Sequence, residues 1–131
     1  QETIVRGKDP KGTSVKEVKA ETIALQKQLA SLKPKNNIPE FEHLRLMFDL
    51  RVQYLTFKEI ENRYESSRFE RNQAETFIKE LEPLIIEARK LDKRFLTLNK
   101  GFLHDEEIAE INRTRNYKLN TMYETLIKMT H

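Results

Sequence analysis

Chain breakers are so scarce in this sequence that little besides long helices can be built from it. Glycine occurs only at Gly7, Gly12 and Gly101, and between Gly12 and Gly101 the only prolines are Pro34, Pro39 and Pro83. A β-rich or α/β domain turns often and needs many more such residues. Leu, Lys, Glu, Arg, Ile and Ala, mostly good helix formers, make up most of the rest. The expected fold class is therefore all-α: an antiparallel bundle of three to four long helices whose seams resemble those of a coiled coil.

At 131 residues the chain is long enough to bury one core without staples. The expected organisation is a flexible N-terminal arm over 1–13 and a single helical-bundle domain over 14–131. No apolar run approaches the roughly 20 residues of a bilayer crossing, so a soluble protein is expected. Because the chain starts at Gln1 and shows no signal-peptide pattern, it reads as a processed mature chain or a fragment of a longer protein. The absence of cysteine removes disulfides, thiolate metal sites and cysteine nucleophiles.

Ser14, with Glu17 three residues on, is a capping-box signature that starts the first helix. Its seam runs Val15, Val18, Thr22, Leu25, Leu29 and Leu32, with Thr22 a mild flaw, and Lys33-Pro34 ends it. After the connection Asn36-Asn37-Ile38, Pro39 suits a first helical turn. From Phe41 to Phe57 apolar residues cover about two thirds of the helical circumference, much wider than the stripe of a surface helix. This helix is expected at the centre, in contact on more than one side. Residues 58–76 turn polar, with Ile60, Tyr64, Phe69 and Ala74 as possible contacts. Ser67 and Glu70 offer a second capping box, but with no Gly or Pro nearby a continuous helix is the preferred reading.

The clearest periodicity is Ala74, Phe77, Leu81, Leu84, Ala88, Leu91, Phe95, Leu98 and Phe102, a seam spanning about 42 Å. It survives Pro83, where a kink or brief restart is expected. Asn99-Lys100-Gly101 stops the helix. Asp105 is expected to cap the last helix, whose buried face is Ile108, Ile111, Arg115, Leu119, Met122, Leu126 and Met129, interrupted by Arg115.

Motifs for chemistry are sparse. The Gly7–Gly12 segment lacks the Gly-Lys-Ser/Thr ending of a phosphate loop. Histidine occurs only at His43, His104 and His131, so a nucleophilic triad has little to draw on. His104 with Glu107 and Glu110 has helical metal-ligand spacing, but a single reversed copy at a helix start fits capping better. Asn112-Arg113-Thr114 matches the glycosylation sequon by a common chance pattern. Arg115 and, second, Arg51 are the candidates for a charge buried in a polar core pocket, against structural ion pairs or snorkelling.

Net charge is +3, from 24 basic and 21 acidic residues. The densest basic cluster is Arg89, Lys90, Lys93 and Arg94, extended by Lys100 and diluted by Glu87 and Asp92. Lys8, Lys11, Lys16 and Lys19 could add a second basic surface. Arg89, Lys90, Lys93, Arg94 and Lys100 are the candidate anion or nucleic-acid patch, against the preferred reading of a solvated face with i, i+4 ion pairs.

Three functions compete. The first is a non-catalytic protein-interaction or assembly module acting through its apolar seams, with Phe77, Leu81, Leu84, Leu91 and Phe95 as partner-binding residues and a homodimer as one form. Its argument is length: the first helix is too short to cover the long seam, and uncovered apolar length marks a contact with another chain. The second is a nucleic-acid-binding bundle, and the third a small helical enzyme with a buried arginine. No cofactor and no metal are expected.

Overall fold

The structure, a computed structural model, describes residues 14–32, 39–68 and 70–130. The expected N-terminal arm, the 33–38 connection, Phe69 and His131 lie outside them. The described chain is all-α: α1 (Val15–Ser31), α2 (Pro39–Ser66), α3 (Ala74–Asn99) and α4 (Asp105–Met129), with one 3-10 turn over Arg71–Gln73. Within each of two compact units, helix packs against helix. None of the described helices is long and apolar enough to cross a membrane. The units divide at Asn62/Arg63, inside α2.

In the first unit α1 begins where its serine requires. The Ser14 hydroxyl accepts the Glu17 N–H at 3.2 Å, satisfying one of the donors a helix start leaves open. The buried positions Val15, Thr22 and Leu29 recur every seven residues. Thr22 is no flaw: its hydroxyl donates to the Val18 carbonyl at 2.7 Å, so a buried β-branched residue keeps its polar atom satisfied. Val15 packs with Leu55, flanked by Val18 and Tyr54. Lys19 pairs with Glu59 at 2.9 Å, while Gln26 donates to Asp49 at 2.6 Å. Advancing along α1 therefore means receding along α2, and the pair is antiparallel.

Leu55, Phe57, Lys58 and Ile60 are all buried. Residues two apart on a helix point about 200° from each other, so the buried positions of this stretch are not confined to one narrow stripe. Lys58, read from sequence as polar surface, is buried with its ammonium on Glu61 at 2.6 Å. The first half of α2 differs: Leu46 is buried, but Leu44 and Met47 are exposed.

The preference for a continuous helix through 58–76 is corrected. α2 stops at Ser66, without glycine or proline. The Ser67 hydroxyl donates to the Tyr64 carbonyl at 2.6 Å, competing with the helical ladder. Arg68 then takes φ +57, the left-handed conformation that ends many helices. Because Ser67 turns back onto α2, it does not cap α3. That helix starts from Gln73 with no side-chain cap.

In the second unit α3 and α4 form an antiparallel hairpin. Ala74, Phe77, Leu81, Leu84, Ala88 and Leu91 are buried on α3, and Ile108, Leu119 and Leu126 on α4. α3 runs through Pro83 without a restart, the proline being exposed. At the other end, Tyr64 meets Phe77 edge to face at 5.3 Å, and its hydroxyl reaches the Met129 sulfur at 3.6 Å. Gly101 takes φ +96 and turns the chain as expected. That turn removes Phe102 from the seam: it is 82% exposed. The cap of α4 is also displaced by one residue. His104, not Asp105, is the N-cap, and its N–H donates to Glu107 Oε1 at 3.0 Å.

Candidate functional site

Halfway along the hairpin the helices meet through a polar node. Asp92 on α3 and Arg115 on α4 face each other because each sits at the margin of its helix's apolar stripe. Arg115 Nη1 donates to Asp92 Oδ1 at 3.1 Å and to Asn112 Oδ1 at 2.9 Å. Asn116 Nδ2 reaches both Asp92 oxygens, at 3.0 and 2.9 Å, and Asn112 Nδ2 reaches the Asp92 carbonyl at 3.4 Å. The guanidinium also lies over the Phe95 ring, 4.7 Å from its centroid, a favourable place for a cation. Burial lowers the Arg115 pKa below its ordinary value, and the attraction of Asp92 only partly offsets this. The guanidinium stays charged at any working pH, held where its charge is partly desolvated.

Arg115 is thus the partly buried charge its place in the seam implied, with Nη1 engaged by Asp92 and Asn112 within the chain. Arg51 is half-buried and also engaged within the chain. His104 and Glu107 spend their shared spacing on the start of α4. Among the described residues no group of three or more His, Asp or Glu could hold a metal ion. One open cleft is lined by Gln26, Leu29, Arg45 and Asp49, another by Arg63, Gln73, Thr76, Phe77 and Glu80.

The partner-binding residues chosen from sequence are already occupied. Phe77, Leu81, Leu84 and Leu91 are buried within the chain, and Phe95 is half-buried beneath Arg115. Another chain would have to displace these contacts to reach them. Apolar surface stands elsewhere, at Leu25, Leu32, Leu44 and Met47 in the first unit and at Ile86, Leu96, Phe102, Ile111 and Tyr117 in the second.

The basic cluster keeps its place on the surface. Arg89, Lys90, Lys93 and Lys100 are exposed, while Arg94 is half-buried and engaged within the chain. Asp92, which by sequence dilutes the cluster, is drawn to the α4 side and neutralised in the node. Asn112 and Asn116 were missed as its partners. Their one-turn spacing around Arg115 on a buried face was the signal available.

Comparison with protein-family models, with curated proteins and with solved structures finds no match.

Proposed function

We propose that this chain is a non-catalytic helical assembly module, and that it associates with a second copy through one end of the α1/α2 pair, including the uncovered α1 seam positions Leu25 and Leu32, rather than through the α3 seam. The observation that carries this reading is a concentration of exposed apolar side chains. Among the described residues of the first unit, Leu25, Leu32, Leu44 and Met47 are the exposed large apolar ones, with Leu32 60% and Met47 66% exposed. The antiparallel pairing of Gln26 with Asp49 brings the second half of α1 alongside the first half of α2, so all four gather at one end. Half-buried Phe41 and Phe48 adjoin them on α2. Met and Phe are enriched where proteins meet, and clustered apolar exposure differs from the scattered kind that needs no explanation.

The test is light scattering across a wide concentration range, on the parent chain and on the double variant Leu44→Asp/Met47→Asp. The parent should dimerise with concentration, and the variant should stay monomeric with an unchanged helical circular dichroism spectrum. A parent that stays monomeric throughout, or a variant that dimerises equally, overturns the proposal.

A further inference from the structure

The C-terminal half of α3 carries a second surface, independent of the first. At about 100° per residue, Ile86, Arg89, Lys90, Lys93, Thr97 and Lys100 fall on the side of α3 away from Leu81, Leu84, Ala88 and Leu91. All six are exposed. Leu96 adjoins them, and Phe102 stands at the turn beyond. The strip from Ile86 to Lys100 is about 21 Å long.

Between Ile86 and Lys100 the charged residues on this side are all basic, with exposed Glu82 one turn before the strip. Asp92 is withdrawn into the node with Arg115 and Asn116. Glu87 lies on the flank by the same helical spacing. Past the turn, exposed Asp105, Glu106 and Glu107 open α4, with Glu107 bonded to the His104 N–H, so the acidic residues begin beyond Phe102. Glu106 and Glu110 fall on the side of α4 opposite its buried Ile108, Leu119 and Leu126. What remains on the outer edge of α3 is four cations interleaved with apolar side chains, Ile86 at 55% and Leu96 at 39% exposure, and ended by Phe102 at 82%.

We propose that this edge and the turn after it dock on an anionic lipid bilayer, the cations over the headgroups and Phe102 entering the acyl boundary. Basic residues beside a negative membrane surface attract it over roughly a Debye length, and exposed aromatic and aliphatic residues gain by leaving water there. A nucleic acid satisfies only half of this pattern. Its phosphates would take the cations, but Ile86 and Leu96 would have no partner, and stacking needs aromatic residues along the strip rather than one at its end.

The test is co-sedimentation of the full chain with vesicles of phosphatidylcholine alone and of phosphatidylcholine with phosphatidylserine, with a duplex oligonucleotide assayed in parallel. Binding is expected only to the anionic vesicles, falling as salt rises. Each neutralised cation should weaken it about fivefold, so Lys90→Gln/Lys93→Gln should lose about 25-fold. Phe102→Ser should lose about tenfold with unchanged circular dichroism, since the ring is almost wholly exposed. Absence of binding, equal binding to neutral vesicles, or indifference to Phe102→Ser overturns the proposal. So does oligonucleotide binding without vesicle binding, which would reassign the patch to nucleic acid. The Leu44→Asp/Met47→Asp variant should bind vesicles like the parent monomer, so the two proposals can fail separately.

Discussion

Replacing Asp92 by alanine should cost more stability than removing the arginine it faces. The carboxylate accepts one bond from Arg115 and two contacts from Asn116, between 2.9 and 3.1 Å. A hydrogen bond to a charged group contributes about 1.5–3 kcal/mol. The Asp92 and Arg115 side chains keep 27% and 23% exposure, so water replaces part of what is lost. The expected cost of Asp92→Ala is therefore about 2 kcal/mol, roughly one such bond rather than two. Arg115→Met differs in kind. Its chain still lies on Phe95, Asp92 keeps Asn116, and the desolvation that lowers the Arg115 pKa disappears with the charge. Its expected cost is under about 1 kcal/mol, mostly the lost cation–π contact and the Asn112 bond.

The double variant should cost about 1 kcal/mol less than the sum of the singles, because Asp92→Ala no longer strands a guanidinium. Urea unfolding followed by circular dichroism at 222 nm is the suitable assay, since the chain has no tryptophan. The comparison holds if the denaturant slope is unchanged across the variants. An Arg115→Met cost at or above that of Asp92→Ala would refute the reasoning. It would mean that the arginine's partners outweigh its desolvation.

Backbone conformation and burial give two further stability predictions. Arg68 holds φ +57 and Gly101 φ +96, so Arg68→Gly should stabilise by about 0.5 kcal/mol, while Gly101→Ala should destabilise by about 1 kcal/mol. Space is not the cause at Gly101, where an added Cβ meets nothing within 4 Å; a stabilising Gly101→Ala in thermal melts would contradict the backbone argument. Lys58→Ala should cost about 3 kcal/mol by leaving Glu61 unpaired near the core, whereas Lys58→Met/Glu61→Gln should fall within about 1 kcal/mol of the parent. A double variant as unstable as Lys58→Ala in urea unfolding would show that the charge pair itself, not the stranding of one partner, carries the stability.

The fold class was legible because breaker scarcity and three-four spacing are strong signals that tertiary context seldom overrides. Ser14 and Gly101 were legible for the same reason, each having one well-defined geometric use. The end of α2 was not. A serine hydroxyl bonding its own helix and an arginine in the left-handed region leave little trace in a sequence, where Ser67-x-x-Glu70 looks like a helix start. The polar node was half legible: Arg115 stood out in its seam, but Asp92 looked like a surface charge, because facing α4 depends on the packing angle between two helices. The exposure of Leu44 and Met47 was hidden by the apolar width of α2, which records how much surface is apolar without saying how much of it a neighbour covers.

The seam itself carries the same ambiguity. Heptad spacing shows that a helix lies along a partner, whether that partner is in the same chain or another. The case for an intermolecular seam rests on α1 being too short to cover α3. But α3 packs against α4, and these helices have 26 and 25 residues, about 39 and 37 Å long. The lengths match, so α4 runs along the whole of α3, and of the α4 seam Ile111 stays exposed. Apolar surface remains also where the hairpin turns and on the outer edge of α3. On that edge it lies among cations, because Asp92, which would have divided them, is held in the node. The contact that joins α3 to α4 thus also sets the charge of the surface on the far side of α3. Asp92→Asn therefore separates this coupling from packing. By leaving Arg115 uncompensated, it should raise the net positive charge of the hairpin and strengthen attachment to anionic vesicles, even as it lowers stability. Weaker vesicle binding by folded Asp92→Asn would break the link between node and surface.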